Sequence, residues 1–129
     1  MNPLKCAFGV TSGKFLGFVV RHRGIEIDPT KIKAIQEMPP PRNLRELKGL
    51  QGRLAYIRRF ISNLAGRCQP FSKLMKKGVP FEWDQSCQNA FDRIKGYLMK
   101  PPVLMSPIKG KPLLLYIAAL DHLLGALLA

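Results

Sequence analysis

The chain has 129 residues, 47% of them hydrophobic and 22% charged, enough for one small globular unit or two incomplete ones and too apolar for disorder throughout. Its 21 Lys and Arg against 8 Asp and Glu give a formal charge of +13, a balance suited to nucleic acid or an anionic membrane surface, although a generic basic protein has the same count. Cys6, Cys68 and Cys87 are scattered and odd in number, which suggests neither a disulfide framework nor a zinc cluster and fits a reducing, intracellular compartment; no stretch approaches the roughly 20 apolar residues of a membrane helix.

From Phe8 to Ile27 the chain is rich in Val, Phe and Ile and punctuated by Gly9, Gly13, Gly17 and Gly24, the pattern of a β-hairpin. Asp28-Pro29 then supplies an N-cap and a first-turn proline for a short helix edged by Ile32 and Ile35, which must end before Pro39. Asn43 with Glu46 has capping-box form and opens the strongest helical signal: Leu44, Leu47, Leu50, Leu54, Ile57, Ile61 and Leu64 recur at intervals of three and four, with Gly66 as the stop. A second helix is predicted over Pro70 to Lys77. A third covers Asp84 to Met99 with Cys87, Phe91, Ile94 and Leu98 inward, and Pro101-Pro102 ends it. Beyond, Val103 to Met105, Leu113 to Ile117 and Leu123 to Leu128 read as strands of a sheet that the chain does not finish. The expected architecture is α+β: residues 1–41 a hairpin and short helix, 42–100 a helical core, and 101–129 the start of an incomplete C-terminal β-sheet.

On the long helix, Arg45, Lys48, Gly52, Tyr56, Arg59 and Asn63 project opposite the leucine stripe. Between Arg42 and Lys77 ten Lys or Arg face the single Glu46, a local net charge of +9. Such a face suits a phosphate backbone, because each cation that neutralises a phosphate releases condensed counterions. Gly52 lets a groove floor approach closely, and Tyr56 one turn on can lie against sugars or bases. A solvated basic face, with Tyr56 packed at the rim of the core, fits the same spacing. Trp83, just ahead of an amphipathic helix, reads as a core anchor, Cys68 and Cys87 as buried thiols. His22 and His122 have no second ligand or nucleophile at useful spacing.

Lys5-Cys6-Ala7-Phe8-Gly9, Phe15-Leu16-Gly17-Phe18 and Gly24-Ile25-Glu26-Ile27-Asp28-Pro29 with Lys31-Ile32-Lys33-Ala34-Ile35 together resemble the segment after the palm of gypsy-type LTR retrotransposon reverse transcriptases. Glu46-Leu47, Gly52, Tyr56, Arg58-Arg59-Phe60-Ile61, Pro70, Leu74, Phe81-Glu82-Trp83, Cys87, Ala90-Phe91, Lys95, Leu98 and Pro102-Val103-Leu104 continue the match through that family's thumb and connection. Leu54 to Asn63 is worded like the plant versions. The resemblance implies that the long helix is a thumb helix following the minor groove of a primer–template duplex, so the implied partners are a DNA or RNA–DNA duplex and the remainder of a Pol polyprotein, with no membrane and no small-molecule substrate.

Two departures bear on activity. The family's polymerase carboxylates, which hold magnesium, belong to palm motifs upstream of the Lys-Cys segment, and the chain starts at Met1-Asn2-Pro3-Leu4. At the other end, Leu115 to Asp121 followed by Gly125 to Leu128 resembles the first two strands of a retroelement RNase H, whose first metal-binding Asp falls at Ala118 when aligned on Gly125. A methyl group cannot ligate magnesium, and Asp121 belongs to the turn. The expectation is a reverse transcriptase/RNase H fragment that binds nucleic acid, holds no cofactor and is inactive alone. The other open reading is a stand-alone basic module or a non-functional remnant. The unfinished strands are expected to self-associate.

Overall fold

In a computed structural model, residues 2–120 and 123–128 are described. The N-terminal region is a three-stranded antiparallel sheet, β1 (Ser12–Phe15), β2 (Phe18–Arg21) and β3 (Gly24–Ile27), in the order β1-β2-β3. The expected hairpin is therefore one strand short. Ser12-Gly13-Lys14-Phe15 has none of the apolar alternation that marks a strand, and its four residues are all exposed. Phe15 pairs with Phe18 across a two-residue turn in which Leu16 (φ 49°) and Gly17 (φ 79°) both have positive φ, the primed geometry whose twist matches the strands. The segment expected as a strand over Val103 to Met105 is reduced to one antiparallel bridge: Ile25 N–H donates to the Leu104 carbonyl at 2.8 Å and Leu104 N–H to that of Ile25 at 2.9 Å.

Helix α1 (Pro29–Gln36) starts as its residues dictate, with the Asp28 carboxylate accepting from Thr30 N–H at 3.0 Å. Helix α2 (Leu44–Tyr56) opens with the full capping box: Asn43 Oδ1 accepts from Glu46 N–H at 2.9 Å, and the Glu46 carboxylate accepts from Arg42 N–H at 2.8 Å. The predicted long helix stops at Tyr56, about two turns early. A 3-10 turn (Arg58–Phe60) follows, then Asn63 in the left-handed conformation (φ 50°) caps α3 (Leu64–Arg67). Gly66 lies inside α3 instead of ending a helix. Helix α4 (Gln69–Leu74) ends three residues before Lys77, and α5 (Gln85–Leu98) lies within its predicted bounds, capped by Asp84 at Cys87 N–H, 2.8 Å.

The core lies among the helices: Leu47, Leu50, Leu54, Ile57, Phe60, Phe71, Phe91, Ile94 and Leu98 are buried together. Full burial of each such side chain contributes about 1.5–3 kcal/mol. Trp83 is half-buried, stacked on Phe71 (5.4 Å) and edge-on to Phe91 (5.9 Å), while its Nε1–H donates to Gln88 Oε1 at 2.8 Å. Burial pushes the thiols of Cys68 and Cys87 up to about 11, so both stay protonated near neutrality. The C-terminal strands β4 (Leu115–Leu120) and β5 (Leu123–Leu128) form a separate antiparallel pair in which Ala118 lies opposite Gly125. Asp121 and His122 lie outside the described residues. No described helix is long and apolar enough to cross a membrane.

Candidate nucleic-acid interface

The break at Ile57 divides the six predicted site residues among three elements. Arg45, Lys48, Gly52 and Tyr56 stand on the exposed face of α2, opposite buried Leu47, Leu50 and Leu54. Arg59 follows on the 3-10 turn, and Asn63 sits at the cap of α3. All six are exposed, but no single helical band carries them. The apolar spacing of three and four continues through Ile57, Phe60 and Ile61, all buried, so the stripe persists while the backbone tightens beneath it. What fixes the bend comes from α5: the Tyr97 hydroxyl donates to the Phe60 carbonyl at 3.1 Å and accepts from Ser62 N–H at 3.4 Å.

Gly52 and Tyr56 share a groove between α1 and α2, of about 480 Å³, with Lys31, Ala34, Gly49 and Arg53. A Cβ added at Gly49 or Gly52 would meet nothing within 4 Å. Arg53 spans the groove's rim, its Nη1 donating to the Ala34 carbonyl at 2.7 Å near the end of α1. Gly49, Lys31 and Arg53 were absent from the sequence-derived set. Gly49 was legible there, since its interval of three from Gly52 and seven from Tyr56 places it on the same face.

Tyr56 is more constrained than its spacing suggested. Its hydroxyl donates to the Leu16 carbonyl, its ring stacks on Phe18 (5.3 Å between centroids), and Lys31 Nζ lies 5.4 Å from its centroid. A Cβ at Gly17 would collide with the Tyr56 hydroxyl, so that turn needs glycine both for its positive φ and for this approach. The ring thus forms a wall of the groove and joins α2 to the N-terminal sheet.

Charge on this face is unopposed. Among the described residues the ion pairs are Lys14–Asp28, Arg21–Glu26, Arg23–Glu26 and Lys33–Glu37, none involving a cation between Arg42 and Lys77. Glu46, the one acid in that stretch, is held in the capping box. Among the described residues no group of three or more His, Cys, Asp and Glu could hold a metal ion.

Comparison with known proteins gives a consistent picture. Residues 83–129 match the family model of the RNase H-like domain found in reverse transcriptase. The retrovirus-related Pol polyprotein from transposon 412 of Drosophila melanogaster is 34% identical over 128 residues, 99% of this chain and 10% of that protein. An uncharacterised mitochondrial protein of Arabidopsis thaliana is 35% identical over 108 residues, 82% of this chain and 68% of that protein. The fold is shared with the foamy viral protease-reverse transcriptase solved with double-stranded DNA, at TM-score 0.72 and 23% identity, covering 85% of this chain and 24% of that one. The same viral protein solved with an RNA/DNA hybrid gives 0.71, at 23% identity, covering 84% and 15%. The chain thus spans about a tenth of the length of the transposon polyprotein it matches.

Proposed function

Since the chain belongs to the family of retrotransposon Pol polyproteins and matches their reverse transcriptase/RNase H region, we propose that it is a duplex-binding thumb and connection segment of a gypsy-type enzyme. Residues 42–100 carry that role, 1–41 link it to the palm, and 101–129 begin the RNase H-like sheet. The observation that carries the reading is the pair Gly49 and Gly52. A glycine in mid-helix costs about 0.5–1 kcal/mol relative to alanine, and here no neighbouring atom requires its lack of a side chain. Close approach of an external surface accounts for both, and the unopposed cations beside them suit one made of phosphate.

In this reading Arg45, Lys48 and Arg59 contact phosphates, Gly49 and Gly52 admit the groove edge of a DNA or RNA–DNA duplex, and Tyr56 supports the wall instead of stacking on bases. Asn63 adds a polar contact where the chain turns away. The foamy viral relatives solved with duplexes support this partner. The remainder of the polyprotein is the second partner, covering the apolar side chains that β1 and β4 leave exposed. With Ala118 in the position of the metal-binding Asp, we expect no cleavage of RNA in a hybrid when magnesium or manganese is supplied. Appearance of cut product would overturn that part.

The test is the salt dependence of duplex binding. Replacing Arg45, Lys48 and Arg59 together by Ala should lower the log–log slope by about two to three units and weaken binding to all sequences alike. Gly52→Leu should cost affinity with little change in slope, because it obstructs approach and removes no charge. Unchanged affinity and slope in a folded triple variant would show the face to be solvated surface only. The Arabidopsis relative, two-thirds covered by this chain, favours a second reading in which such a segment is a separate product with no polymerase attached. The flanking reading frame discriminates: a palm motif upstream and the rest of an RNase H downstream support the first.

A further inference from the structure

A second groove, of about 480 Å³, lies between the α3–α4 segment and α5; of its polar lining, Arg67 enters the charge count and Asn63 the predicted face, while Gln69, Ser86, Asn89 and Arg93 belong to neither. Its polar lining is Asn63, Arg67, Gln69, Ser86, Asn89 and Arg93. Two of these are cations and none is a carboxylate. Ser86, Asn89 and Arg93 are spaced three and four apart, so α5 presents them as one seam. We propose that this groove binds the phosphodiester backbone of a nucleic-acid strand, as a contact separate from the α2 face; the class of partner, though not the site, rests on the reading above.

The chemistry of the lining carries the assignment. Asn63 Oδ1 already accepts from Gly66 N–H (3.3 Å) and Asn89 Oδ1 from Gln85 Nε2 (2.9 Å), which leaves the Nδ2 donor of each unspent. Arg67 is fixed in advance: its Nε donates to the Ser62 carbonyl at 2.9 Å, and its guanidinium lies 4.7 Å from the Tyr97 ring centroid. Both Nη groups stay available without the entropy cost of immobilising a free side chain. Arg93 makes no ion pair among the described residues. The groove is therefore rich in hydrogen-bond donors and positive, which selects an anion. Its volume falls in the range of about 300–1,000 Å³ typical of ligand sites, more than one phosphate fills and suited to a nucleotide unit. An acidic peptide would satisfy the same donors. Continuity through Asn63 with the cations after Tyr56, in a chain of +13, favours the polynucleotide.

The experiment measures binding of duplex and single-stranded oligonucleotides to the full chain as a function of salt, for Arg93→Ala, Arg93→Lys and Asn89→Asp. Arg93 is exposed and makes no ion pair among the described residues, and a circular dichroism melt confirms that each variant is folded. Arg93→Ala should weaken binding several-fold and lower the salt slope by about one unit. Arg93→Lys should keep the slope and lose part of the affinity, since the charge remains without the planar fork. Asn89→Asp, which places a carboxylate in the groove, should weaken binding even if Arg93→Ala proves unstable. Unchanged affinity and slope in folded Arg93→Ala and Asn89→Asp overturn the proposal. Competition by poly-glutamate as strong as by an oligonucleotide of equal charge also overturns it, in favour of an acidic protein. Loss on Arg93→Ala with no effect of the α2 triple variant keeps this site and removes the other; the reverse removes this one.

Discussion

Residues 44–98 supply most of the buried apolar side chains, whereas β1, the turn after it and the described start of β4 leave theirs in the open. From the N-terminal sheet, Ile27 of β3 and part of Phe18 of β2 reach the same core. In the helical region Leu47, Leu50, Leu54, Ile57 and Phe71 have no exposed surface. In β1 and the turn after it, Phe15 is 66% exposed and Leu16 73%, and at the start of β4 Ile117 is 64% exposed. A helix satisfies its own backbone and needs only a neighbouring stripe, which α2, α4 and α5 supply to one another within 55 residues. A two- or three-stranded sheet needs cover for a face and for its edges; Ile27 and Phe18 find it on the helices, while the four residues of β1 are all exposed. The contrast separates the part of the chain that packs on itself from the part whose apolar side chains stay exposed.

The largest expected difference is in core truncation. Leu54→Ala should cost about 2–5 kcal/mol in urea unfolding, while Phe15→Ala, on the exposed strand, should stay within about 0.5 kcal/mol. Similar losses at both sites would erase the contrast. Self-association should depend on the sheets alone: sedimentation should show concentration-dependent oligomers, reduced by Phe15→Lys with Ile117→Lys and unaffected by surface changes on α5. A monodisperse wild-type chain at high concentration counts against it. Smaller is the loss of a cap. Asn43→Ala removes the acceptor for Glu46 N–H and should cost about 1 kcal/mol, read as a shifted urea midpoint.

The smallest effect sharpens the comparison at its border, where Asp28 joins β3 to α1. Thr30 N–H, and then Lys14 Nζ at 3.0 Å, hold its carboxyl down to about 2, from an ordinary 3.8. A carboxyl lowered by folding contributes stability above its unfolded value, and that contribution disappears as pH falls through the folded one. Thermal stability should therefore drop between roughly pH 4 and 2. Asp84, lowered by Cys87 N–H at the start of α5, adds to the same loss. Asp28→Asn should flatten the profile in that window; an unchanged slope would show that the cap carries no linkage.

Much of the fold is legible where its causes are local. Asp28-Pro29 and Asp84 announce α1 and α5, and the capping box announces α2, because each cap bonds within three residues. The end of α2 is not, since Tyr97 reaches back 37 residues to Phe60 to hold the bend while the apolar spacing runs on undisturbed. The candidate face divides in the same way. Arg45, Lys48 and Gly52 follow from helical periodicity, but the engagement of Tyr56 depends on Leu16, 40 residues earlier, and on a turn that only Gly17 permits. The groove beside α5 brings together donors from two stretches with no pattern in common, so only packing reveals it.

The arrangement of cysteines makes the core its own reporter. Cys6 is exposed at the N-terminus, whereas Cys68, between α3 and α4, and Cys87, in the first turn of α5, are buried and kept as unreactive thiols. A disulfide reagent added to the native protein should modify one sulfur at once and the other two only as fast as the helices part. Equal rates at Cys68 and Cys87 would mean that α4 and α5 open as a single cooperative unit, unequal rates that one frays from the other. Nucleic acid held across the groove between these helices should slow both, so the same clock would time local opening with the ligand present and absent.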